Sequence, residues 1–356
     1  PEPIAPFMDA VLIGDGEEVS VELVRAVKRA KAEGRSKREL LEELSALRGV
    51  YVPSLKAAET KIVRRIVRDL DKTPFTGEPI VPYLGIVHDR VALEVMRGCT
   101  RGCRFCQAGY IYRPVRERKS ETVMELARQQ VSCTGYDEVS LLSLSTGDYS
   151  EVHKLVPQII REMQAGRVSV ALPSLRVDSV LANDLSVMQT VRKAGLTFAP
   201  EAGTQRLRDV INKNVTEDDI MRAAADAFEA GWSGVKLYFM IGLPTETDED
   251  VLGIAELARK ISARFYAMPK EKRGRGLRMT VSVSTFVPKP FTAFQWCAQV
   301  APDEIRRRQE LLRGAIKGVR GAELKCHYSD LSVLEAAFSR GDGTLADVLE
   351  SAYRLG

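Results

Sequence analysis

The chain lacks any stretch that approaches the ~20 consecutive apolar residues a membrane-spanning helix needs, so no membrane partner is expected. The start, Pro1-Glu2-Pro3, has neither a basic nor an apolar leader region, so no secretory signal is read there. It has no initiator methionine either, and the sequence reads as a piece of a longer protein. Histidine is scarce: none of His88, His153 and His327 pairs with a cysteine or another histidine at metal-ligand spacing. Six cysteines in 356 residues do not make a disulfide framework, which points to a reducing, cytoplasmic setting. No internal repeat and no low-complexity tract is visible. Neither sign of charge dominates, since 52 basic against 48 acidic residues leave +4, and that balance alone says little about nucleic acid. Local basic density at 270–278 and in the arginines of 304–313 could face a polyanion, but a solvated loop and helix face explain it as well.

What is present is a cluster. Cys99, Cys103 and Cys106 follow the spacing C-x3-C-x2-C, while Cys133, Cys297 and Cys326 are scattered singly. A structural zinc site takes four protein ligands, and no fourth is apparent. Soft thiolates also select iron–sulfur clusters, and a cubane held by three cysteines leaves one iron open to a small molecule.

The surrounding pattern says where this cluster would sit. Short strand-like runs at 91–96, 138–145, 168–172, 196–199, 234–241 and 278–286 alternate with amphipathic helical patterns. The helices are expected at 120–133, 151–165, 179–193, 216–230 and 248–266, with Thr216 and Thr247 as N-caps. Strands alternating with helices predict a parallel βα architecture, here a six-stranded partial barrel rather than a closed eightfold one. The pattern after residue 290 reads as helical throughout, at 302–318, 331–339 and 344–354. Upstream, a short strand at Ala10–Ile13 precedes helices near 20–33 and 37–47, the second capped by Ser36. The proline-bearing stretch 52–90 reads as a linker. The cysteines follow the first barrel strand directly, on a βα loop at the C-terminal mouth, where catalytic groups collect in such folds.

C-x3-C-x2-C with Phe105 before the last cysteine, on the first loop of six βα units, resembles the radical S-adenosylmethionine (radical SAM) superfamily over roughly residues 91–290. The resemblance implies a [4Fe-4S] cluster on Cys99, Cys103 and Cys106, with SAM bound through its amino and carboxylate groups at the open iron. It also implies an electron donor such as flavodoxin or ferredoxin, and no catalytic residue is assigned beyond the cluster ligands. Further SAM contacts are expected strand by strand: Phe105; Ser145, Thr146, Gly147 and Asp148 where many members carry Gly-Gly-Glu; Ser174 and Arg176 for the SAM carboxylate. Glu201 in Glu-Ala-Gly-Thr, Lys236 and Tyr238 on the fifth strand, and Val287 near the adenine complete the set.

The opening DAVLIGDGEEV resembles the end of a cobalamin-binding-type domain, so cobalamin is expected only through a domain outside this chain, and D-x-H-x-x-G is absent from these residues. The tail, with an SRGD-like turn at 339–342, resembles a helical extension in a poorly characterised bacterial family. The expected domains are therefore 1–90 (the end of the cobalamin-type α/β unit plus a helical linker), 91–295 (the radical SAM partial barrel) and 296–356 (the helical extension). Methylthiotransferases carry three further upstream cysteines, and none precedes Cys99 here. Two functional readings result. One is a radical SAM enzyme that modifies an unidentified substrate, with RNA or a ribosomal protein as candidates and methylation if cobalamin takes part. The other is a nucleic-acid- or ribosome-associated protein whose cluster is structural or redox-sensing.

Overall fold

A computed structural model describes residues 1–55, 61–171, 196–273 and 276–356. The helix expected at 179–193 and the candidates Ser174 and Arg176 lie outside these residues. The chain forms two compact units, Pro1–Phe75 with Ala337–Gly356, and Thr76–Ala336.

In the first unit, β1 (Val11–Leu12) pairs antiparallel with β2 (Val50–Tyr51). Between them run α1 (Val19–Ala32) and α2 (Lys37–Ser45). Ser36 caps α2 in a reciprocal box: its hydroxyl accepts from the Glu39 N–H, and the Glu39 carboxylate accepts from the Ser36 N–H at 2.8 Å. Val19, Ala26, Leu41, Leu44, Val50 and Val52 bury their side chains together as its core. Among the described residues between Leu55 and Val91 there is no helix or strand, only a bridge joining Gly14 to Arg65.

The second unit is the α/β partial barrel. Its parallel strands fall into two sheets, the first made of β3 (Val91–Glu94), β6 (Glu138–Leu142) and β7 (Ser169–Ala171) in the order β3-β6-β7. A short antiparallel pair, β4 (Met96–Arg97) with β5 (Arg116–Glu117), brackets the cysteine loop, which also contains the short helix α3 (Ala108–Ile111). The crossovers are α4 (Ser120–Thr134) and α5 (Val152–Ala165).

The second sheet holds β8 (Leu196–Glu201), β9 (Gly234–Ile241), β10 (Arg278–Thr285) and a further strand, β11 (Ala322–Cys326). Helices α6 (Gln205–Val210) and α7 (Glu217–Glu229) follow β8, α8 (Asp248–Tyr266) follows β9, and α9 (Pro302–Ile316) follows β10. The chain ends in α10 (Ser329–Arg340) and α11 (Leu345–Leu355). β11 corrects the expectation of helix alone beyond residue 290. It pairs in parallel with β10, Met279 opposite Ala322, as a seventh strand. Its sequence AELKC alternates only weakly and no residue in it is fully buried, as suits an edge strand but leaves little periodic signal.

Alternation along β9 decides which residues face the barrel interior. Val235, Leu237, Phe239 and Ile241 are buried in the core shared with the covering helices, which puts Lys236, Tyr238 and Met240 on the inner face. Thr216 and Thr247 each form the reciprocal cap, with Asp219 and Asp250.

Asp250 does more than cap α8. Its carboxylate also accepts from Thr204 and Arg206, which ties α8 to the turn after β8. Burial alone would raise this carboxyl, but the donors from Thr204, Thr247 and Arg206 outweigh it and hold it below the usual range. Because its folded pKa is depressed, its stabilisation is present above the unfolded carboxyl pKa and lost as pH falls through the lowered one. Asp250→Asn is therefore expected to cost about 2–3 kcal/mol at neutral pH. Chemical denaturation from pH 7 down to acid should show the gap between wild type and variant closing. A gap independent of pH would refute the charge-assisted account.

Candidate functional site

Met96-Arg97 ends a strand, and Gly98 turns the chain with φ +92°, a conformation that L side chains rarely adopt. A Cβ there would also lie 2.9 Å from the Tyr112 carbonyl oxygen, so the turn requires glycine. The loop Cys99–Cys106 follows. Cys103 is buried, Cys99 and Cys106 are partly exposed, and none of the three is in a disulfide.

This loop is fastened at several points. The Arg101 N–H donates to Cys99 Sγ at 3.4 Å. The Arg101 guanidinium grips both carboxylate oxygens of Asp148, with Nε 2.8 Å from one of them, and the Ser145 hydroxyl donates to the same carboxylate at 2.7 Å. The loop after β6 thus holds the cysteine loop. On the other side, Asn212 Nδ2 donates to the Gly102 carbonyl at 2.8 Å, and the Arg104 N–H donates to the Ile211 carbonyl at 3.0 Å. Phe105 packs against Ala202, Leu207, Ile211, Leu243, Phe286 and Phe294, together with Met240. Gln107 Nε2 reaches the Pro290 carbonyl at 3.1 Å. Segments that follow β6, β8 and β10 therefore all converge on the three cysteines.

The sequence-derived candidates fall into groups. Ser145 and Thr146 are buried, and Thr146 Oγ1 lies 2.9 Å from Ser143 Oγ, so both hydroxyls shape the turn that carries Gly147. The Asp148 carboxylate is engaged by Arg101 and Ser145. Glu201 ends β8 after a register shift, in a left-handed conformation with φ +69°, and accepts from Lys213 at 3.1 Å. Such a conformation in a non-glycine residue costs on the order of 1–3 kcal/mol and is held here by the surrounding contacts. Val287 is buried directly after Phe286. Lys236 and Tyr238 stand apart, lower on the inner face of β9, with Lys236 Nζ 4.6 Å from the centre of the Tyr238 ring.

Two residues of the site carry no clear sign in the sequence. Arg101 lies inside the cysteine motif, but its partner is distant in sequence. Arg208 is fully buried and donates to the carbonyls of Ala202 and Gly203 at 3.0 and 3.3 Å, bracing the Glu-Ala-Gly-Thr turn. Burial pushes its guanidinium pKa down, opposed by the charges of Glu217 and Asp209. Its only sequence signal is a charged residue beside Leu207 on a short helix.

The donor set fits a cubane. Three thiols outside any disulfide share one loop, where the Arg101 N–H donates to Cys99 Sγ. This side of the loop is not crowded: even a Cβ on Gly109 would stand at ordinary contact distance, 4.0 Å from Cys106 Sγ and 3.5 Å from the Arg101 carbonyl oxygen. Among the described residues no three His, Cys, Asp or Glu side chains are placed to hold a single metal ion. A cubane takes one thiolate at each of three separate corners and needs no such convergence.

Residues 93–258 match the radical SAM superfamily, and residues 1–53 match the family described as radical SAM proteins, N-terminal. An uncharacterised protein of Methanocaldococcus jannaschii is 31% identical over 353 residues, which are 98% of this chain and 70% of that protein. The anaerobic magnesium-protoporphyrin IX monomethyl ester cyclase of Cereibacter sphaeroides is 29% identical over 257 residues; these cover 69% of this chain but only 40% of the cyclase. Among solved structures, the radical SAM methyltransferase TsrM of Kitasatospora setae shares the fold with a TM-score of 0.54 at 13% identity, covering 79% of this chain and 52% of that one. No helix among the described residues is long and apolar enough to cross a membrane. With the thiol loop set on the first βα unit of a partial barrel and these relatives beside it, the chain belongs to the radical SAM superfamily, a family of enzymes that use a [4Fe-4S] cluster and SAM.

Proposed function

We propose that Cys99, Cys103 and Cys106 each supply one thiolate to a [4Fe-4S] cluster, and that this chain uses SAM to modify a substrate at carbon inside the barrel. When bound and reduced, a cubane with one open iron supplies the electron that splits the SAM sulfonium into methionine and a 5′-deoxyadenosyl radical. The observation that carries the reading is the convergence of three strand-end segments on the cysteine loop.

The chain's own residues position and shield. The Arg101 N–H donates to the Cys99 sulfur and fixes its direction in the loop. Phe105, Phe286 and Phe294 keep water from one side of the loop, the last two meeting edge to face with ring centres 5.9 Å apart. Backbone groups at Thr146 and Gly147, the Glu201 carboxylate and backbone at Val287 stand at strand ends beside the loop. They are the groups proposed to receive the amino, ribose and adenine parts of SAM. Asp148 serves by holding Arg101 rather than by meeting SAM directly. The chain has no D-x-H-x-x-G sequence, so none of its residues is assigned as a cobalamin ligand.

The test is anaerobic reconstitution with iron and sulfide, reduction, and assay of 5′-deoxyadenosine from SAM. Four irons per chain and reductant-dependent 5′-deoxyadenosine are expected. A chain that binds the cluster and RNA with steep salt dependence, yet never cleaves SAM, would instead be a binding protein.

A further inference from the structure

The inner face of the second sheet holds two cations that form no direct ion pair among the described residues. Lys236 and Arg278 make no side-chain hydrogen bond or ion pair among the described residues, and Lys236 meets only the Tyr238 ring. They sit close together. Lys236 is in register with Thr280, and Arg278 is one inner-face position before Thr280 on the neighbouring strand, so the two cations are diagonal neighbours. Arg278 is opposite Gly234, where an added Cβ would meet nothing within 4 Å. Thr197, in register with Lys236 on its other side, and Thr280 supply hydroxyls on the same row. All of these residues line one cavity of ≈ 560 Å³ at the N-terminal ends of β8, β9, β10 and β11. Glu323 also lines the cavity: opposite Thr280 on β11, it is a diagonal neighbour of Arg278 as Lys236 is, while it stands a strand further from Lys236 and 3.5 Å from Lys325.

Arg278 is exposed and Lys236 half-buried, and an anion lying between them would be attracted by both charges. A lysine, an arginine and two hydroxyl donors suit the several oxygens and double charge of a phosphate better than a single carboxylate. From Lys236 up to Met240, which shares the apolar cluster around Phe105, is four residues, or roughly 13 Å of strand. We infer that Lys236, Arg278, Thr197 and Thr280 bind the phosphate of a small phosphorylated substrate whose reacting carbon lies on the order of 10 Å above, toward the cysteine loop. A cavity of this size suits a small molecule rather than a polymer. The inference rests on the proposed radical chemistry for the reaction that follows, but not for the phosphate.

The probe is pyridoxal 5′-phosphate, offered to the anaerobically reconstituted chain. Its aldehyde condenses with a lysine amine, releasing water, and borohydride then delivers hydride to fix the bond. Peptide mass spectrometry locates the labelled lysines. Lys236 is expected to label at least ~10-fold faster than exposed Lys31 and Lys317, with inorganic phosphate or ribose 5-phosphate protecting it and equal acetate failing to do so. Arg278→Gln should raise the phosphate needed for half-protection ~10-fold, as expected for a lost charge-assisted contact. Equal labelling of all three lysines, equal protection by acetate, or protection by a long RNA but not by ribose 5-phosphate would each overturn the inference. If wild type fails to cleave SAM while phosphate still protects Lys236, the radical reading falls and the phosphate site stands.

Discussion

Cys103→Ser is expected to leave the reconstituted protein without a stable cubane and to reduce 5′-deoxyadenosine formation by more than 100-fold. The scale comes from comparison with outer-shell changes, which typically cost about 10–100-fold in metal affinity or activity; losing a ligand should exceed them. Serine keeps nearly the size of the buried Cys103 side chain, so the fold should survive and thermal unfolding of the apoprotein should barely move. Asp148→Asn provides the graded case. It leaves all three thiols in place but weakens the grip on Arg101, whose N–H faces Cys99 Sγ. Its expected loss lies within the outer-shell range, read as faster release of iron to a chelator. Cys133→Ser is the control, since Cys133 is exposed on α4 and its Sγ donates to main-chain carbonyls of Gly77 and Gln130. If Cys103→Ser keeps four irons and full SAM cleavage, the ligand assignment is wrong. If Asp148→Asn matches wild type in iron release, Arg101 is not a support of the loop.

The difference between Cys103 and Asp148 also shows which parts of the site are legible in sequence. The cysteines announce themselves by a spacing within eight residues, and the strand at 234–241 by its length and alternation. Ser36 with Glu39, and Thr216 with Asp219, are capping pairs three residues apart, within reach of any local reading. Asp148 is legible as a carboxylate at the right place, but not as the partner of Arg101, because their separation of 47 residues is closed only by the fold. The same holds for Arg208, which reads locally as an ordinary helix arginine and becomes a buried brace only once the β8 turn packs over it. β11 is hidden for a different reason: an edge strand needs neither continuous nor strictly alternating apolar residues, so AELKC carries almost no period.

The turn after β8 should be the least forgiving place in the barrel for added volume. A Cβ on Gly203 would lie 2.4 Å from both the Asp250 carbonyl oxygen and the Ile254 nitrogen, and one on Gly253 would lie 2.8 Å from Thr204 Cγ2. The Gly203 contacts are with backbone, so no rotamer change relieves them, and α8 must move bodily away from the turn. Gly203→Ala is therefore expected to cost at least about 3 kcal/mol, the upper part of the overpacking range. For a unit this large, that corresponds to a fall in melting temperature of roughly 6–12 °C. Gly314→Ala provides the contrast, because its Cβ meets nothing within 4 Å on the exposed face of α9, and it should stabilise by about 0.5–1 kcal/mol. A functional effect should accompany the structural one. Moving α8 shifts Asp250 and with it the turn that holds Glu201 in its left-handed conformation, so the variant's KM for SAM should rise more than its kcat falls. A Gly203→Ala protein that melts with wild type would mean that α8 does not lie against this turn at backbone contact. One that melts early but keeps its KM would separate the turn's packing from SAM binding, and would remove Glu201 from the proposed contacts.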